Sequence, residues 1–204
     1  MKYYTACGYD AICVTDHYNR ECFDYAEIDL TTPGSKTQAF LQGYHRLKKV
    51  SEKYNIRVYA GAELRFDESD NDYLLYGFHD ALLADPDRVM REGLAAFAPQ
   101  YRADGALLVQ AHPFRKKCTP APAEYLDGIE VLNLTPRHDS HNDLALAYAK
   151  EHHLIMTAGS DCHRPGDQGT TGILSDTLPE DSFGLADLLR SGNYTIIHPE
   201  CTED

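Results

Sequence analysis

Seven short apolar runs are spaced along this chain, and helical patterns fill most of the gaps between them; that alternation restricts it to an α/β architecture. The runs are Ala11–Val14, Arg57–Ala62, Tyr73–Phe78, Ala106–Ala111, Gly128–Leu132, Leu154–Ala158 and Tyr194–His198. Most are bounded by Gly, Asp or polar residues, as buried parallel strands are. Helical spacing is found in Thr37–Tyr54, Asp87–Tyr101, Asp139–His152 and Glu180–Ser191. In the first of these, Phe40, Leu41, Tyr44, Leu47 and Val50 make one apolar face. Strand–helix–strand order predicts parallel pairing through right-handed crossovers, so a barrel or strongly curved sheet is the economical fold. Sites in such folds form where strands end and loops begin.

Polar residues recur at those places. His17 follows the first run, Glu63 the second, and Asp72 opens the third. The fourth ends in His112-Pro113, the fifth holds Glu130 and ends near Asn133, and the sixth ends in Asp161-Cys162-His163. Singly, each is more often a satisfied polar residue than a functional one. Jointly, on parallel neighbouring strands, they converge, and a ring of His, Asp and Glu is electrostatically unstable without cations. Such donors suit zinc, manganese or iron. Asp161 and His163 share a face of extended chain. The other histidines have plainer readings: His45 lies in a helix, His152 and His153 near a helix end that favours a cation, and His79, His138 and His141 in loops.

Composition narrows the class further. The 204 residues suit one domain. The formal net charge of −13, from 32 acidic and 19 basic residues, argues against a general nucleic-acid-binding module. No apolar run is long enough to span a bilayer and no secretion signal follows Met1, so a cytoplasmic protein is expected. The six cysteines, at 7, 13, 22, 118, 162 and 201 with no C-x-x-C, are expected to be reduced.

GYDAICVTDH, GAEL, AHPFR, GIEVLN and GSDCH occur in that order and resemble the polymerase-and-histidinol-phosphatase, or PHP, domain family over essentially the whole chain. The resemblance implies a distorted seven-stranded β/α barrel that holds up to three divalent metal ions and hydrolyses phosphate esters. Carried onto this sequence, it implies that Glu63 bridges two metals, and that His112 and Asp72 complete one ligand set, Asp72 standing where many members have His. Asp161 would bind the second metal, and His17 and His163 a third. Asp16 would orient His17. Arg115 would meet a substrate phosphate or, with equal weight, be a solvated loop charge beside Lys116 and Lys117. Catalytic roles fall to Glu63, His163 and Arg115.

One departure matters. Family members open with a strand carrying His-x-His, whereas Met1–Asp10 resembles the end of the helix that follows it. The single domain of residues 1–204 is therefore expected to lack its first strand, to have an open barrel edge and to hold fewer ions. A second copy covering that edge would make a homo-oligomer. The expected activity is hydrolysis of a small phosphate monoester or nucleotide-type substrate by metal-activated water, with nucleic acid limited to short oligonucleotides and no membrane partner. The alternative is a catalytically impaired, shortened PHP domain that binds metal or a partner. Hydrolysis of carbon–nitrogen bonds ranks behind both, since Lys116 and Lys117 lie in a loop and resemble no carboxylated-lysine site.

Overall fold

The computed structural model describes residues 1–31 and 35–198. Helix α1 (Lys2–Ala6) leads to β1 (Ala11–Val14), the two-residue strand β2 (His17–Tyr18) and α2 (Arg20–Tyr25). Then come α3 (Thr37–Phe40), α4 (Gln42–Ser51), β3 (Arg57–Arg65), β4 (Asp72–Tyr76), α5 (Pro86–Asp104), β5 (Leu107–Gln110) and β6 (Gly128–Asn133). The chain continues with α6 (Asn142–Glu151), β7 (Ile155–Gly159), β8 (Gly172–Leu174), α7 (Ser182–Ser191) and β9 (Thr195–Ile197).

One sheet has the order β1–β3–β4–β5–β6–β7, with β2 also beside β3. It is curled into a half-barrel with β1 and β7 at its two margins. The expectation of parallel pairing throughout is corrected at β4, which runs antiparallel to both β3 and β5. The short connection Phe66–Asn71 has no room for a crossover helix, so β3 and β4 form a hairpin. The remaining pairs of this sheet are parallel. The last predicted strand is also corrected: β9 pairs with β8 in a separate antiparallel ribbon.

Two apolar layers hold the sheet. On its outer face Leu64, Phe66, Tyr73, Leu75 and Leu108 pack against Val89, Met90, Leu94, Phe97 and Tyr101 of α5. Each such buried side chain contributes roughly 1.5–3 kcal/mol. Helix α5 begins where the Asp85 carboxylate accepts the Arg88 N–H and Pro86 fills its first turn. It breaks at Gly93 (φ 80°, ψ 170°), and the Glu68 carboxylate accepts the Leu94 N–H to restart it. On the inner face Tyr59, Leu74, Tyr76, Leu107 and Val109 meet Leu185, Ala186 and Leu189 of α7. The predicted helix Thr37–Tyr54 is divided at Leu41, and its apolar face is only partly docked, since Val50 is exposed. No helix among the described residues is long and apolar enough to cross a membrane.

Candidate metal centre

Strand alternation and register assemble the site. Tyr59, Gly61, Glu63 and Arg65 share one face of β3. The hairpin sets Arg65 opposite Asp72, and the β2–β3 pairing sets His17 opposite Glu63. Because β4 is reversed, Asp72 reaches the same rim from the start of its strand. His112 follows β5, Asn133 ends β6, and Asp161 and His163 follow β7. His17, Glu63, Asp72, His112, Asp161 and His163 are thus brought to one end of the half-barrel.

The distances link them into one chain of contacts. Glu63 Oε2 lies 3.5 Å from His17 Nδ1, and Glu63 Oε1 lies 3.3 Å from His112 Nε2. His112 Nε2 is 3.7 Å from Asp72 Oδ2. His17 Nε2 is 3.2 Å from His163 Nε2, and His163 Nδ1 is 3.1 Å from Asp161 Oδ1. His17, Glu63 and Asp72 each offer a donor atom, and these atoms all lie within 4.8 Å of one another. The donor set fits a divalent ion. His17 Nδ1 is buried among these groups without a hydrogen-bond partner, which leaves its lone pair available for coordination.

Around this rim stand Arg65 and Asp167, which the sequence reading did not single out, and Glu130 and Asn133, to which it gave no ligand role. The buried Glu130 accepts the His112 backbone N–H at 3.0 Å and an Asn133 amide N–H at 2.9 Å. Arg65 clamps both oxygens of Asp72 at 2.8 and 2.7 Å. Asp167, paired with Arg137, accepts the backbone N–H groups of His163 and Arg164. Period-two spacing could have placed Arg65 beside Glu63 and Glu130 on an inward face; the Asp167 turn has no comparable signal. Cys118 Sγ is 3.8 Å from His112 Nδ1, on the side of the ring away from Glu63.

Two predicted roles change. Asp16 does not orient His17 through its carboxylate, which instead lies against Gly43, where an added Cβ would stand 2.7 Å from Oδ2. Its backbone carbonyl accepts the Glu63 N–H at 2.9 Å. Arg115 is not a solvated charge: its Nη2 donates to Asp161 Oδ2 at 2.6 Å and is largely covered, unlike exposed Lys116 and Lys117. His138 is exposed. The thiols also need correction, since Cys7 is disulfide-bonded while Cys13, Cys22, Cys118 and Cys162 are free; Cys201 lies outside the described residues.

Crowded carboxylates disturb the titration of the cluster. Burial pushes Glu130 up to about 7. Burial also raises Asp72, although Arg65 opposes the rise. At His112 burial disfavours the cation, but contacts with Cys118 and Glu63 and the charge of Glu130 outweigh it and lift the imidazole to about 10. In Asp161 the Arg115 pair overcomes burial and holds the carboxyl below its usual range. Behind the cluster, between the sheet margins, lies a cavity of about 620 Å³ whose wall includes Cys13, Tyr76, Glu130, Asp161 and Leu188.

A curled mixed α/β sheet with imidazoles and carboxylates gathered at one rim is a fold this chain shares with solved PHP-like proteins. A family model described as PHP-associated matches residues 139–191, a stretch that includes the Asp161–His163 segment. A Bacteroides vulgatus ATCC 8482 two-domain protein containing a predicted PHP-like metal-dependent phosphoesterase is similar in structure, with TM-score 0.63 and 15% identity over 93% of this chain and 56% of that one. The chain therefore spans little more than half of that protein. PsfC from Pseudomonas syringae PB-5123 aligns with TM-score 0.64 and 18% identity over 97% of this chain and 80% of its own. A candidate metal-dependent phosphoesterase from Bifidobacterium adolescentis ATCC 15703 gives 0.52 and 15%, covering 93% and 88%. No curated protein matches the sequence. The family match thus covers residues 139–191, and the likeness to the solved structures over nearly the whole chain is one of fold.

Proposed function

We propose that this chain is a divalent-metal-dependent phosphoesterase acting on a small phosphate monoester or nucleotide-type substrate. The observation that carries the reading is the partnerless, buried His17 Nδ1 facing Glu63 beside Asp72. His17, Glu63 and Asp72 would hold zinc, manganese or iron, with His112 and His163 on the same rim as further ligands and Asp161 beside them, paired with Arg115. A bound divalent ion supplies positive charge for the phosphoryl oxygens and lowers the pKa of water. Glu63, facing His17 on one side and His112 on the other, fixes the spacing of the two imidazoles. His163 is exposed; with no ion bound to it, it would instead pass a proton to the departing alcohol. Arg115 keeps a permanent positive charge beside Asp161 for substrate phosphate. The acidic surface favours a small substrate over long nucleic acid.

The test is hydrolysis of p-nitrophenyl phosphate with added Mn²⁺ or Zn²⁺. Activity should require the ion and fall by at least about 100-fold in His112→Ala; equal rates for the two proteins reject the assignment. A second reading, a binding module with metal but no turnover, draws support from the half-buried margins β1 and β7, which are placed to accept another strand or a second copy. Stoichiometric metal without any hydrolysis favours it.

A further inference from the structure

We infer that the Arg115 guanidinium stands in for a metal ion at Asp161, so that this chain takes divalent metal at the His17–Glu63–Asp72 end of its rim and is blocked at the Asp161 end. The inference rests on the proposed metal centre and adds which part of it is filled.

Arg115 Nη2 lies among three oxygens: Asp161 Oδ2 at 2.6 Å, Asn133 Oδ1 at 3.1 Å and Ser140 Oγ at 3.3 Å. Asn133 and Ser140 are buried. The Asn133 amide is fixed in orientation, because its nitrogen donates to Glu130 and to Asp161, and this turns its oxygen toward Arg115. A carboxylate, an amide oxygen and a hydroxyl around one point are the donors a hard cation such as Mn²⁺ takes. A metal bound to Asp161 Oδ2 at about 2.0–2.2 Å would overlap the guanidinium nitrogen, so the two occupants exclude each other. Arginine cannot escape by losing its proton. Arg65 differs: among the described residues its side-chain hydrogen bonds go to Asp72, so it flanks one ligand instead of sitting among several.

The experiment is Mn²⁺ stoichiometry by inductively coupled plasma mass spectrometry on the whole chain after dialysis, with circular dichroism as the folding control. Arg115→Met should bind about one more ion per chain than wild type. The gain should vanish in Arg115→Met/Asp161→Asn, and Arg115→Lys should show none, because a cation remains. Arg115→Gln replaces Arg115→Met if the latter does not fold. An Arg115→Met or Arg115→Gln content equal to or below wild type overturns the inference. Wild-type content answers a separate question: no ion there removes the His17–Glu63–Asp72 centre, whatever the variants show at Asp161.

Discussion

Arg65 and Asp72 face each other across the β3–β4 hairpin and are joined by two hydrogen bonds, Nε to Oδ1 at 2.8 Å and Nη2 to Oδ2 at 2.7 Å. Asp72 is buried, whereas Arg65 keeps part of its surface in water. Arg65→Ala would strand the carboxylate, and unfolding in urea at pH 7 should show a loss of about 2 kcal/mol, allowing for the exposure of Arg65. Arg65→Met/Asp72→Leu, which removes both charges, should lose clearly less. Equal losses would mean that packing, not charge, holds this pair.

Gly159 lies against Glu130. A Cβ at this position would stand 2.5 Å from Glu130 Oε1. Gly159→Ala should therefore lower stability by about 1–3 kcal/mol. It should also weaken Mn²⁺ binding in a calorimetric titration, because Glu130 holds the His112 backbone. An unchanged melting temperature and affinity would show that Glu130 has room to move.

Asp167 governs the segment that carries His163. Asp167→Ala removes the acceptor of the His163 and Arg164 amides, and hydrogen exchange at those two amides should rise roughly tenfold. The Arg137 pair holds Asp167 below the usual carboxylate range. A lowered folded-state value stabilises above the unfolded value, so this contribution persists at neutral pH and fades only as pH falls through the lowered value. Protection of these amides that faded already at neutral pH would contradict the pairing.

Burial pushes the Cys13 thiol up to about 12, and the residue lines the cavity between the sheet margins. At pH 8 about one thiol in 10⁴ is ionised. Iodoacetamide should label exposed Cys162 in the native protein and Cys13 only after unfolding. Rapid native labelling of Cys13, read by peptide mass spectrometry, would contradict this.

The parts of this architecture that were legible in sequence are those set by local pattern. The run Ala11–Val14 is β1 without change, and the other strands of the large sheet keep their places with small shifts at the ends. The rim residues were legible because strand ends recur with the same chemistry. Direction was not: nothing local in Asp72–Tyr76 says that it runs against both neighbours, which depends on the length of the preceding turn. A two-residue strand such as β2 has no period to detect. The partners of Arg65, Arg115 and Arg137 were hidden for a related reason, since each is chosen by register or by a loop's path across the fold. Val50 carried a helical apolar pattern yet faces solvent, because this segment docks through Phe40 and Leu41, ahead of α4, and partly through Tyr44.

His112 and Asp161 both have positive φ, 28° and 50°, a backbone setting that costs of order 1–3 kcal/mol per residue. Their neighbours hold them there: Glu130 grips the His112 amide, and Asn133 and Arg115 grip the Asp161 side chain. The conformational work of aiming both side chains is thus completed while the chain folds, not when a ligand arrives. Association should then be quick and nearly rigid, with little change in heat capacity and the same urea m-value for the bare and the saturated protein.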